Sequence, residues 1–105
     1  MSQFRVHANA NAATRASYPF LLDIQSPLLE SLDTRIVIPL APLSRYGGAP
    51  IRNLTPTVEI GGEPYIVLCP QMAGVHKNQL GEVMLDLSER RKEIVKAIDF
   101  LITGF

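Results

Sequence analysis

Few side chains in this 105-residue sequence are equipped to make or break bonds. There are two histidines, His7 and His76, and one cysteine, Cys69. Cleaving a phosphodiester takes a general base, a general acid and cationic stabilisation of the phosphorane, all within hydrogen-bond reach. His7 or His76 has the chemistry for the proton transfers, and Arg5, Arg15, Arg35, Arg45 and Arg52 carry permanent charge. Nothing in their spacing assembles such a site. The two histidines and the cysteine are also too scattered for a zinc centre, whose ligands come in close pairs. Cys69 ends the run Tyr65-Ile66-Val67-Leu68-Cys69 and is expected as a small buried hydrophobe rather than a nucleophile. Gly47-Gly48 lacks the following Lys-Ser/Thr of a phosphate loop and reads as a turn. The expectation is a protein that is not an enzyme and needs no metal or cofactor.

Charge narrows the partners. Ten basic and ten acidic residues give a formal net charge of zero and a pI near 6.7. Direct non-specific nucleic-acid binding needs a surplus of Lys and Arg to release counterions, and there is none. An apolar content of 47 % is enough for one real core, so residues 1–105 are expected to form a single domain. One cysteine allows no internal disulfide. Residues 1–13 lack the apolar centre of a signal peptide, and no stretch approaches the ~20 apolar residues of a membrane span. A cytoplasmic protein with no membrane partner is expected.

The elements that must position any site are mostly strands. Residues 3–7 alternate polar and apolar, as do strands with one buried face. Residues 8–16 have no period and read as a mobile loop. Residues 18–24 and 35–40 are the next two strands, separated by a loop or a single helical turn. Residues 41–56 carry three prolines and Gly47-Gly48, predicting a long surface loop. Thr57-Val58-Glu59-Ile60 and residues 63–68 flank Gly61-Gly62, the pattern of a two-residue hairpin. Short strands at 72–75 and 83–87, with Gly81 between them, complete a barrel-like or sandwich-like set.

The period then changes. Ser88 is a candidate N-cap, Glu89 suits the first turn, and Gly104 is a C-terminal stop, so a helix is predicted over 89–103. On a 100° projection Ile94, Ile98 and Leu101 share one face, and the whole apolar sector covers more than half the circle. Such width fits a second contact surface, most economically a symmetric homodimer. It also fits a helix sunk deeper into its own core. Opposite lies the line Lys92, Lys96, Asp99 and Thr103, which should face solvent.

Several stretches, taken in order, resemble one known family. They are Gln3-Phe4-Arg5-Val6, then Asp23-Ile24-Gln25-Ser26 with Leu28-Leu29, and above all Arg35-Ile36-Val37-Ile38-Pro39-Leu40-Ala41. Pro56, Val58 and Ile60-Gly61 follow, then Met72-Ala73, Val75, Gly81-Glu82 and Asp86-Leu87-Ser88, and finally Ile94, Ala97-Ile98 and Gly104. In order and spacing these resemble the CcdB toxins of bacterial toxin–antitoxin modules.

The resemblance implies an SH3-like barrel of the CcdB/MazF type with a small accessory antiparallel sheet, a C-terminal α-helix and a homodimer. It implies binding to the DNA gyrase A subunit, trapping of the gyrase–DNA cleavage complex, and neutralisation by a CcdA-like antitoxin. Operator DNA would be met only through that antitoxin. The gyrase-binding residues it implies are Thr103, Gly104 and Phe105, where the best-known pattern has Trp-Gly-Ile. MazF-type toxins share the barrel and are ribonucleases, but their Gly- and Pro-rich motifs are not seen here. Thr103 in place of the family Trp defines the alternative: a non-toxic or retargeted homologue that keeps antitoxin binding and co-repression.

Overall fold

A two-residue turn is made by Gly61 and Gly62, whose φ angles of 61° and 81° lie where side-chain-bearing residues are strained. It joins β4 (Thr57–Ile60) to β5 (Glu63–Val67), pairing Ile60 with Glu63 and Val58 with Tyr65 as the sequence predicts. The computed structural model describes residues 3–104, and around this hairpin it builds one curled antiparallel sheet.

The remaining strands are β1 (Arg5–Asn9), β2 (Phe20–Asp23), β3 (Thr34–Pro42), β6 (Ala73–His76) and β7 (Leu80–Asp86). Their order is β4-β5-β3-β2-β1-β7. The long strand β3 organises the rest: Thr34–Val37 register with β6, and Leu40–Pro42 register with β5. The main curl and the accessory β3–β6 pairing therefore share one backbone. This architecture, with its C-terminal helix α1 (Arg91–Thr103), matches an SH3-like barrel with an accessory sheet.

Register decides which residues become core. Val6 pairs with Leu22 and Leu22 with Ile38, all fully buried, so these three point into the barrel together. Leu40, Val67 and Cys69 extend the cluster, and Leu87, Ile94 and Ala97 close it from the helix side. Burying one such aliphatic side chain is worth about 1.5–3 kcal/mol. The adjacent row, His7, Leu21 and Pro39, faces the other way.

Several boundaries move, each for a local reason. The first strand starts later than residue 3 because Phe4 takes φ 67°, a costly value for an aromatic, and turns its ring into the core. Its N–H donates to the Asp23 carbonyl at 2.6 Å and its carbonyl accepts from the Leu87 N–H at 2.8 Å. Gly81 lies inside β7 rather than ahead of a strand: a Cβ there would meet the Ala8 carbonyl oxygen at 3.0 Å, so glycine permits the close β1–β7 approach. The 41–56 loop is shortened because β3 continues to Pro42 against Tyr65. The 8–16 segment is not a slack loop either. Its first two residues belong to β1, and Asn9 donates to Thr14 Oγ1 at 3.0 Å and to the Tyr18 carbonyl at 2.8 Å. Ser88 does not cap the α-helix. It opens a 3-10 turn, Ser88–Arg90, and its N–H donates to Asp86 Oδ1 at 2.8 Å. That bond, ahead of a smaller effect of Arg5, holds the Asp86 carboxyl below its usual range.

Candidate functional site: the closing helix and its tip

Helix α1 is fastened at its start. The Arg90 guanidinium pairs with Glu93 and donates to the Thr57 carbonyl at 2.8 Å. The Arg91 guanidinium lies 5.3 Å from the centre of the Phe4 ring and donates to Gln3 Oε1 at 3.3 Å. Ile94 and Ala97 are buried, with Val95 and Ile98 half-buried against the same cluster. Beyond Ile98 the packing thins. Phe100, Leu101 and Ile102 are 36 %, 37 % and 70 % exposed. The chain's own core covers much of the wide apolar sector and leaves the end of it, above all Ile102, in solvent.

The opposite line is as expected: Lys92, Lys96, Asp99 and Thr103 are all exposed. Thr103 Oγ1 donates to the Asp99 carbonyl at 2.7 Å, the usual back-bond of a helical threonine. Gly104 takes φ 82° and its N–H donates to the Phe100 carbonyl at 2.9 Å, ending the helix in a left-handed cap. Thr103 and Gly104 thus share one exposed tip. Phe105 lies outside the described residues.

The charges of the helix ends are mixed, for Glu93 in the first turn suits the dipole and its neighbours do not. Arg91 and Lys92 sit in the first turn, where the macrodipole disfavours cations, and Asp99 lies near the C-terminal end, where it disfavours anions; each term is about 0.3–1 kcal/mol at exposed sites. Lys92 and Lys96 are like charges four residues apart, which costs about 0.2–0.5 kcal/mol more. Neither lysine has an ion pair or hydrogen bond among the described residues.

Several of the residues that could have served phosphodiester cleavage have other partners. Arg35 is buried and grips Asp23 Oδ2 through Nε at 3.1 Å and Nη2 at 2.7 Å. His7 is buried, with Nδ1 3.0 Å from the Gly81 carbonyl oxygen, so Nδ1 is the protonated nitrogen. Nδ1 of His76 accepts from the Asn78 N–H at 3.2 Å, and Arg5 lies 3.8 Å from Asp86. Neither histidine's hydrogen bond is to an arginine. Cys69 is buried, and loss of hydration pushes its thiol up to about 11, as suits a packing residue.

Two clefts lie on the outer face of the sheet. One, of about 340 Å³, has Leu21, Val37, Pro39 and Val75 as its apolar floor and Asn9 and Gln79 at its rim. The other, of about 540 Å³, lies between Ala16, Tyr18, Arg45, Tyr46 and Gln71. Tyr18 and Gln71 border both.

A family model described as CcdB protein matches residues 3–104 of the chain. The chain belongs to the CcdB family. CcdB proteins are toxins of toxin–antitoxin modules, and the match spans every described element, including Thr103 and Gly104 at the tip. No helix among the described residues is long and apolar enough to cross a membrane.

Sequence reasoning missed one feature of this CcdB-family chain. Pro27–Leu29 form a 3-10 turn in which Ser26 Oγ accepts from the Leu28 N–H at 3.2 Å, leaving Leu28 91 % exposed and Leu29 49 %. Two leucines held out on a capped turn are spare apolar surface of the kind a partner covers. The available signal was their type: nothing about a turn requires paired leucines.

Proposed function

We propose that this chain is the toxin of a type II toxin–antitoxin module that binds the DNA gyrase A subunit and traps the gyrase–DNA cleavage complex. The observation that carries the reading is the family match over residues 3–104, joined to a helix end, above all Ile102, that the chain itself leaves in solvent. Thr103, Gly104 and Phe105 are the gyrase-binding residues in this reading. A homodimer covers part of the Phe100–Leu101–Ile102 surface, and a CcdA-like antitoxin restrains the toxin in the cytoplasm. The two outer clefts, bordered by the 10–18 and 43–50 loops, are the surfaces we assign to the antitoxin. The action is that of a clamp, with no bond made or broken by the toxin. Operator DNA is reached only through the antitoxin.

The test is a cleavage assay. Micromolar protein added to a susceptible gyrase and supercoiled plasmid should accumulate linear DNA after denaturation, and deleting Gly104-Phe105 should abolish it. No accumulation by the intact chain would sink the proposal. One observation favours a second reading, a non-toxic or retargeted homologue: Thr103 stands at the tip with its hydroxyl turned back to Asp99 and offers no ring to stack. That reading expects antitoxin binding with normal growth on expression, and growth arrest rules it out.

A further inference from the structure

The two outer clefts differ in what lines them. The first carries no charged residue: Leu21, Val37, Pro39 and Val75 form its floor, and amides and hydroxyls form its rim. The second carries one cation, Arg45, and no acid, and is bordered by Tyr18 and Tyr46. Both tyrosines pack on the buried trio Ala41, Ile66 and Leu68, so their rings are fixed walls. Arg45 Nη1 donates to the Ala16 carbonyl at 3.1 Å, which ties the 43–50 loop to the 10–18 loop and holds the guanidinium at the cleft. No carboxylate pairs with it among the described residues. Gln71 borders both clefts, and its carboxamide makes no hydrogen bond among the described residues. Asn9 and Asn11, by contrast, spend theirs on their own loop and on Gln79.

We propose that the two clefts read one extended segment of the antitoxin, with Arg45 as the residue that sets its specificity. An apolar side chain of the segment enters the first cleft, a peptide group pairs with Gln71, and an Asp or Glu meets Arg45 in the second. The inference rests on the assignment of these clefts to the antitoxin and adds the chemistry of the segment they hold. A carboxamide offers an acceptor beside its donors, the complement of a peptide N–H and C=O. With Nη1 committed to Ala16, Arg45 keeps Nε and Nη2 for a two-bond fork to a carboxylate. A neutral or basic side chain at that place would strip water from the guanidinium and return nothing, which is how the pair rejects other segments. A nucleic-acid strand is disfavoured, because one cation neutralises little of a phosphate backbone.

The experiment presents the full chain with an array of randomised ten-residue peptides. Bound peptides should be enriched in an apolar residue and, further along, in Asp or Glu. Arg45→Glu should reverse the second preference to Lys or Arg, and replacing the selected acid by its amide should weaken binding to the unmodified chain about tenfold. Gln71→Ala should weaken all selected peptides about fivefold without altering the preference. Thermal melting establishes that both variants fold. No acidic preference, or one that Arg45→Glu leaves in place, overturns the proposal. A CcdA-like antitoxin then separates this inference from the reading it rests on. If it binds the chain without displacing the selected peptides and binds Arg45→Glu equally well, the groove is overturned and the toxin–antitoxin reading stands. If peptides bind with the stated preference and no such antitoxin binds at all, the antitoxin reading falls and takes the proposed occupant with it. Loss of self-association in Arg45→Glu would assign the clefts to a second copy and overturn the proposal as well.

Discussion

The two halves of α1 are similarly apolar and have opposite surroundings. Ile94 and Ala97 in the first half are sealed against Phe4, Cys69 and the barrel core, while in the second half Leu101 is 37 % and Ile102 70 % exposed. The first half is also pinned by Arg90 and Arg91 to two separate parts of the chain. An apolar face therefore states that a helix side meets apolar matter, but not whether that matter belongs to the same chain. In α1 the boundary between the two cases falls inside four turns of one helix.

The largest effect that could break this comparison is at Ile94. Ile94→Ala should cost about 2–5 kcal/mol of folding free energy, read from the urea midpoint, because it opens a cavity among residues that cannot fully collapse. Little change would mean the first half is as loosely held as the second. Cys69 offers a reporter for the same question, since it lies in the core cluster that Ile94 and Ala97 close. With its thiol pushed up to about 11, wild-type protein should react with a thiol reagent far more slowly than unfolded chain at about pH 8. Ile94→Ala should quicken that reaction.

The raised thiol also makes a pH prediction. The unfolded chain gives up the Cys69 proton near 9.0, whereas the folded chain holds it to about 11. Between those values the folded state binds the extra proton, so its stability falls as pH rises, by about 2–3 kcal/mol across the window. Below about pH 8.5 this contribution is fully present. Cys69→Ser should flatten the alkaline limb, and an unchanged limb in that variant would assign the pH dependence to other groups.

At the helix end the effects shrink. Gly104 sits at φ 82° with open space around it, so Gly104→Ala meets no clash and pays only for a backbone region that alanine avoids. A loss of about 1 kcal/mol or less is expected, with faster amide exchange confined to the last turn. If exchange rises through Ile94 as well, the two halves are one cooperative unit and the comparison fails.

Most of this architecture was legible because it rests on local rules. The hairpin follows from Gly61-Gly62, the exposed line from 3.6-residue spacing, and the helix end from Gly104. What escaped depends on contacts distant in sequence. Phe4 breaks the first strand only because Asp23 and Leu87 are there to bond its backbone, and Gly81 matters only where Ala8 approaches. Ser88 was expected to cap the helix, but a 3-10 turn intervenes and its N–H is held by the carboxylate of Asp86 two residues upstream. Of the site, Thr103 and Gly104 were correctly placed at an exposed tip. The exposed leucines at 28 and 29 were not seen, because a turn's sequence carries no sign of which face its side chains take.

The smallest expected effect on folding is at Ile102, and it separates the halves most cleanly. With 70 % of its surface already exposed, Ile102 contributes little to the isolated fold. Ile102→Lys replaces it with a cation near the C-terminal end, where the dipole favours positive charge, so stability at low protein concentration should hold or rise within about 0.5 kcal/mol. Self-association should respond in the opposite direction. If a second copy covers Leu101 and Ile102, the buried lysine must be desolvated, and sedimentation should show a shift toward monomer at concentrations where the wild type is dimeric. A variant that loses more than 1 kcal/mol as a monomer would place Ile102 in the chain's own core after all. One that sediments like the wild type would leave the last turn for a partner other than a second copy, and the gyrase binding of the same variant then measures how much of the grip that turn supplies.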